Sequence, residues 1–275
     1  MKTFLAITAL VVLVASPAVA DISGKIVFTS DRDGNPNVYI VNADGTGEKQ
    51  LTDDDASDDQ PCLSPDGNTV VFISGRKGNN DVWLVKSGGG GEKRITKTDA
   101  MEYDPSFTPD GESVVFTRDK GDSKVIIKLD LSSGTEETLA EGYMARMSSD
   151  STQLIYVSSE SGDEELYIES ANLTNSKKSD TWPSFSLDGS KVIFASRREG
   201  DYDTYVMNRD GSACKPILTS ENSEDRAVFS PDGGYIAVAS DAGGDYEISI
   251  YDKDGSLVKQ LTDNDSDDYE PHWGK

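Results

Sequence analysis

The chain predicts an all-β fold: a six-bladed β-propeller with four-stranded antiparallel blades, closed by the C-terminal strand pairing with the N-terminal strands. Three observations carry this expectation. A turn-and-strand phrase recurs five times, as SPDGNTVVFIS (64–74), TPDGESVVFTR (108–118), SSDSTQLIYVS (148–158), SLDGSKVIFAS (186–196) and SPDGGYIAVAS (230–240). Its aspartates, Asp66, Asp110, Asp150, Asp188 and Asp232, fall at spacings of 44, 40, 38 and 44 residues, the period of a four-stranded repeat unit. The two ends of the repeat region are complementary fragments of one further unit.

Each unit reads the same way. A short first strand ends in a large apolar residue (Leu63, Phe107, Met147, Phe185, Phe229), and a turn follows that is Asp-Gly in most copies. The second strand is a β-branched and aromatic run such as VVFIS or VIFAS. A polar, Gly-rich turn leads to the third, as in NVYIV (37–41), DVWLV (81–85), KVIIK (124–128), ELYIE (165–169), DTYVM (203–207) and EISIY (247–251). A second turn (ADGTGEK, KDGSLVK) precedes a short fourth strand such as KQLT (49–52) or KRIT (93–96). One such sheet cannot bury both of its faces alone; stacking units around an axis does so and leaves only short edges. No stretch of the repeat region holds a helical period over three turns. At the ends, residues 25–52 supply strands two to four of a unit, and EPHWGK (270–275) supplies a first strand with Trp273 at the large apolar position. Together they complete a sixth blade.

Ahead of the repeats, Lys2, the apolar run FLAITALVVLVA (4–15) and Ala18-Val19-Ala20 have the pattern of a cleaved secretory signal peptide. Cleavage is expected between Ala20 and Asp21, giving a signal peptide at 1–20 and a propeller domain at 21–275. No cysteine follows the small residues, which argues against a lipid anchor, and no second apolar run would span a membrane. The product is expected to be periplasmic or secreted, and monomeric. Fifty acidic residues face 26 basic ones, for a net charge of −24. Such a chain repels nucleic acid and anionic membrane surfaces, and suits cations, basic proteins or a salty habitat. Cys62 and Cys214 are too few for a disulfide framework and are expected to stay unlinked.

The phrases PCLSPDGNTVVFIS, PSFTPDGESVVFTR and AVFSPDGGYIAVAS, with KQLT, resemble the TolB-type propeller repeat over about residues 22–275. The resemblance implies the fold and a partner bound on one face. That partner would be a protein of the cell envelope, such as a Pal-like lipoprotein, or a basic peptide. The α/β domain that TolB carries ahead of its propeller has no counterpart before the first repeat. The fourth unit matches least well, with SSDST for SPDGK and no clear LT.

Catalytic chemistry finds little support. The same repeat occurs in prolyl-type peptidases, but the nucleophile elbow G-x-S-x-G that their hydrolase domain needs is missing. It also occurs in oligogalacturonide lyases, which rely as a family on histidine-bound metal. This chain has one histidine, His272, whose counterparts are Cys62, Ser106, Arg146, Ser184 and Val228. It reads as a packed residue. GGGG (88–91) is a flexible hairpin, and DRDGNPN (31–37) lacks the distal Glu and the helices of an EF-hand. The runner-up to a binding module is a carbohydrate-active or other hydrolytic enzyme with a carboxylate pair in the axial funnel.

One regularity is sharper. Three residues before the first strand's Pro, or its equivalent, lies an acid: Asp58, Glu102, Asp180, Glu224 and Asp268, with Gly142 in the fourth unit. Repeat symmetry places the five as a ring near one mouth of the propeller. Such carboxylates serve one of three ends. They accept hydrogen bonds at their own turns; they meet Lys or Arg of a partner; or they ligate Ca²⁺, with Asp58, Asp59, Asp267 and Asp268 as its donors. No motif requires a cofactor.

Overall fold

The computed structural model describes residues 22–275; the signal-peptide expectation and its Ala20–Asp21 junction lie outside them. Twenty-four strands form six four-stranded sheets, and the described residues contain no helix. The inner strands are β4 (Asp58–Leu63), β8 (Glu102–Phe107), β12 (Tyr143–Met147), β16 (Asp180–Phe185), β20 (Glu224–Phe229) and β24 (Asp268–Gly274). In five blades each inner strand is followed in sequence by the other three. In the sixth the order is β24, then β1 (Lys25–Ser30), β2 (Asn37–Asn42) and β3 (Lys49–Gln50). Lys25 pairs with Gly274, Ile26 with Trp273 and Ser30 with Asp268, so the two ends share one sheet as the sequence predicts.

The repeat phrase is a self-contained loop. In each of five copies the first hydroxyl donates to the Asp Oδ1 (Ser64 to Asp66, 2.6 Å; Thr108 to Asp110, 2.5 Å; Ser230 to Asp232, 2.6 Å). The same hydroxyl accepts the amide five residues on (Thr69 N, 2.9 Å; Tyr235 N, 2.9 Å). The loop needs a left-handed residue after the Asp, which Gly supplies at φ 72° in Gly67. The degenerate fourth copy keeps the whole loop by holding Ser151 at φ 57°. The terminal Thr of LT has a structural task too: its Oγ1 accepts an amide of the third strand, as in Val38 N to Thr52 (3.0 Å), Val82 N to Thr96 (2.8 Å) and Ile248 N to Thr262 (2.8 Å).

Six apolar clusters lie between neighbouring blades, one per junction, with Phe28, Phe72, Phe116 and Phe194 fully buried. The closing blade is fitted closely. Trp273 is 5% exposed and donates its indole N–H to Ser23 O at 3.0 Å. A Cβ on Gly24 would stand 2.4 Å from Gly274 O. Cys62 is buried, Cys214 exposed, and both are free thiols.

Two predictions follow from the closure and the loop. Trp273→Ala should destabilise the fold by about 3–5 kcal/mol, the range for emptying a buried aromatic site, read as a lower denaturant midpoint. Ser151→Gly should be neutral to stabilising by up to about 1 kcal/mol, since glycine removes the left-handed strain of that one copy; thermal melts of the two chains decide it.

Candidate functional site: the axial channel and its two mouths

Each inner strand begins on one face, here the upper one. Its first residue donates its amide to the entrance of the preceding blade's third strand: Asp58 N to Pro36 O (2.9 Å), Glu102 N to Asn80 O (3.0 Å), Asp180 N to Glu164 O (2.8 Å), Glu224 N to Tyr202 O (2.7 Å) and Asp268 N to Tyr246 O (2.6 Å). The five acids therefore share a face and a register. Their side chains do not line the mouth. Each is buried, with Asp58, Glu102, Asp180 and Asp268 at 0% exposure and Glu224 at 5%.

Arginine explains four of them. Arg76 reaches Asp58 at 2.5 Å, Arg118 reaches Glu102 at 2.8 Å, Arg198 reaches Asp180 at 2.7 Å and Arg32 reaches Asp268 at 2.8 Å. The guanidinium is flanked by an aromatic ring, Trp83 at 4.6 Å from Arg76 and Tyr39 at 4.7 Å from Arg32. Outer carboxylates such as Glu92, Glu136 and Glu48 complete the chain of charges. Glu224 has Ala242 where Arg32, Arg76 and Arg198 stand in three other blades; Ser220 Oγ donates to it at 2.5 Å and its Oε2 has no partner. Burial, with Asp203 and Asp241 adding, raises its pKa. Of the three ends open to this acid series, bracing the blade tops is the one that such burial fits: four of the carboxylates lie against an internal arginine, and burial still raises Asp58 to about 6 and raises Glu102.

The Ca²⁺ donor set does not assemble either. Asp58 and Asp268 face separate arginines, Asp267 accepts Tyr246 N at 2.9 Å, and Asp59 accepts Ser57 Oγ at 2.9 Å. Among the described residues no three His, Cys, Asp or Glu side chains are grouped to hold a metal ion.

The residues that do line the channel come two places later and share no residue type. Gln60, Asp104, Met144, Trp182, Arg226 and Glu270 all have left-handed backbones, at φ 55°, 53°, 54°, 48°, 52° and 58°. Each sits at a bulge where the inner strand slips register against the second, as between Asp59 and Cys62 or Asp225 and Val228. The bulge turns these side chains towards the axis, where they surround a cavity of about 60 Å³. Glu270 binds Arg226 and accepts Gln60 N (2.7 Å) and Thr29 Oγ1 (2.8 Å), while Gln60 Oε1 accepts Asp104 N at 2.7 Å. Around this plug stands a belt of half-buried aromatics. Tyr202 meets Trp182 edge-on at 4.9 Å, Arg226 lies 4.9 Å over Trp182 and 5.8 Å from Tyr269, and Lys124 lies 4.9 Å over Tyr143 and 5.9 Å from Tyr103. Burial, with Glu270 nearby, pushes Asp59 up to about 7, and burial pushes Asp225 up to about 6.

The lower mouth differs. Here the inner strands end and the SPDG loops begin, around a cavity of about 310 Å³. Phe107, Met147, Phe185, Phe229, Leu63 and Trp273 form its wall, so the repeated large apolar position lines a funnel rather than a closed core. His272 stands at its floor, its Nδ1 accepting Leu63 N at 3.2 Å; burial lowers its pKa to about 3, so the ring is neutral. It is held in place by packing and one backbone bond, as the sequence suggests.

The sequence profile of the TolB beta propeller domain matches residues 5–172 and 144–274. In structure the chain is similar to TolB from Acinetobacter baumannii (TM-score 0.80, 22% identity, covering 92% of this chain and 67% of that one). It is also similar to a putative TolB from Agrobacterium tumefaciens (TM-score 0.73, 17% identity, 92% and 99% covered). An oligogalacturonate lyase in complex with manganese shares the fold at TM-score 0.59 and 17% identity, with 86% and 73% covered. Among curated proteins, none matches the sequence.

Two outcomes are expected from the geometry. Arg76→Leu should cost about 3–5 kcal/mol by stranding the Asp58 charge, and Asp58→Asn in the same chain should recover much of it; denaturant titrations of both measure this. Asp59 and Asp225 bind protons more tightly folded than unfolded, so their contribution to stability is full below about pH 4 and lost as pH rises through about 6 to 7. The melting temperature should therefore fall between pH 5.5 and 7.5, and Asp59→Asn should flatten that decline. The chain belongs to the TolB β-propeller domain family.

Proposed function

We propose that the chain is an exported binding module of the cell envelope, which holds a protein partner on its upper face. The observation that carries this reading is the aromatic belt at the channel mouth, with Trp182 meeting Tyr202 edge-on and lying under Arg226. Trp, Tyr and Arg are the side chains that dominate binding energy at protein interfaces, because they bury much area at little entropic cost. Around the belt the upper loops carry exposed carboxylates, among them Asp53, Asp55, Glu199, Asp201, Asp263 and Asp265. A partner presenting Lys or Arg is steered towards that face by its field and then anchored by the belt. An envelope lipoprotein of the Pal kind, or a basic peptide, has this chemistry.

No helix among the described residues is long and apolar enough to cross a membrane, which accords with a module that meets its partner in an aqueous compartment. The axial carboxylate of Glu270 is committed to Gln60 N, Thr29 and Arg226 rather than poised as half of an acid–base pair, which favours binding over hydrolysis.

Capture from an envelope extract tests the reading. Trp182→Ala should weaken retention of the bound protein about 30-fold or more, equivalent to about 2 kcal/mol. Raising salt from 50 to 500 mM should weaken it further by screening the rim. Undiminished capture by Trp182→Ala would move the interface off this face.

A further inference from the structure

The lower funnel combines an apolar wall with unspent hydrogen-bond donors, and the upper-face reading makes no use of it. Its volume of about 310 Å³ falls in the range that holds a small organic ligand. The wall is drawn from five blades, with Phe107, Met147, Phe185, Phe229 and Trp273 converging on one space. Leu187 at the rim is 54% exposed, so the apolar surface continues outwards.

The floor is polar, and its polarity is one-sided. Because His272 Nδ1 already accepts Leu63 N, a neutral ring must carry its proton on Nε2, which makes that atom a donor. Ser184 lines the same floor. Arg146 occupies the equivalent register position on β12 and lines the adjoining channel cavity. Its hydrogen bonds go to the backbone oxygens of Ala145 (2.9 Å) and Asp104 (3.4 Å), and no carboxylate lies within 4 Å of it among the described residues. Burial raises the pKa of Asp104, the carboxyl closest in register, and Arg146 is the cation that most opposes that rise, so the two side chains act on each other without forming an ion pair. In a chain of net charge −24, an arginine left without an ion pair at the axis stands out.

The geometry points to a ligand site in the lower funnel for an organic carboxylate with a compact apolar body. The carboxylate would sit at the floor against His272 and Ser184, which line both the funnel and the adjoining channel cavity, with Arg146 reaching it from the channel side, and the body would fill the ring of Phe107, Phe185, Phe229 and Trp273. A guanidinium beside the His272 and Ser184 donors suits two carboxylate oxygens, and the apolar wall strengthens the pairing by displacing water. The apolar wall sets the affinity through buried area, and the donors set the orientation. The site lies at the opposite mouth from the proposed protein interface, so either reading can fail without the other.

Three probes test it on the full chain by titration calorimetry: 3-phenylpropionate, its neutral analogue 3-phenylpropanol, and decanoate. Saturable binding of the carboxylates is expected, at least tenfold tighter than the alcohol. Arg146→Met should remove that preference and leave alcohol binding unchanged; Ser184→Leu, which narrows the floor, serves as the second variant if the first melts early. Val228→Trp should block all three probes. Tighter binding of decanoate would identify an acyl chain as the source of the carboxylate, and tighter binding of phenylpropionate a compact aromatic acid. The proposal is overturned if no probe saturates up to its solubility limit, or if acid and alcohol bind alike and Arg146→Met changes neither.

Discussion

Every feature of this molecule depends on one constraint: a four-stranded sheet with two apolar faces must be covered on both. A single blade leaves Phe72 or Phe194 facing water on one side, and burial of a large side chain contributes roughly 1.5–3 kcal/mol. Only a neighbour supplies that cover, and only a closed ring gives every blade two neighbours. The six clusters, one per junction, show the constraint satisfied all the way round. The pairing of β1 with β24 is what makes it satisfiable, because it brings the cluster around Ile26, Phe28 and Trp273 into the ring.

Closing the ring forces polar groups into the junctions, and the chain answers with a repeated charge assembly. An inner-strand acid, an arginine from the 2–3 hairpin, an aromatic shelf and an outer glutamate recur in the blades that begin with Asp58 and Asp268. Blade four has lost both members together: Gly142 replaces the acid, and a Cβ there would stand 2.6 Å from Val157 O and from the Tyr156 ring. The blade of Glu224 has lost only the arginine, and with it the shelf, since Val238 and Ser249 pair where Phe72 and Trp83 pair elsewhere. Concerted loss is the physically cheap change, because an arginine without its acid or an acid without its arginine leaves a buried charge.

This pattern also explains what the sequence could and could not reveal. Spacing and phrase were enough for the blade count, the loop of Ser64 to Thr69 and the shared sheet of Lys25 and Trp273, since period and turn chemistry are local properties. The five acids were visible as a series, and their common face followed from symmetry. Their burial did not, because a carboxylate that braces and a carboxylate that binds look alike until its partner is known, and the partner arginine lies 16 to 18 residues away for Asp58, Glu102 and Asp180 and 236 away for Asp268. The left-handed ring was invisible for a different reason. Glycine announces such a backbone, but Gln60, Asp104, Met144, Trp182, Arg226 and Glu270 are held there by the bulge and carry no shared residue type. The available signal was positional: the residue just before the first strand's proline.

That lack of a shared type separates architecture from recognition. Positions that build the ring repeat their chemistry from blade to blade: the Ser and Asp of the loop, the Thr that takes a third-strand amide, the apolar second strand. The six positions that the bulge turns inwards share a backbone conformation and almost nothing else. A repeat protein with identical blades could present only a sixfold pattern of side chains at its axis, which suits an ion or a symmetric ligand and little besides. Here one tryptophan, one arginine, two carboxyls, an amide and a thioether meet at the same level. The axis is thereby asymmetric, with Trp182 and Arg226 on adjacent inner strands and Asp104 and Met144 on another adjacent pair. An asymmetric ring of this kind distinguishes one orientation of a bound segment from the five others that the scaffold alone would allow.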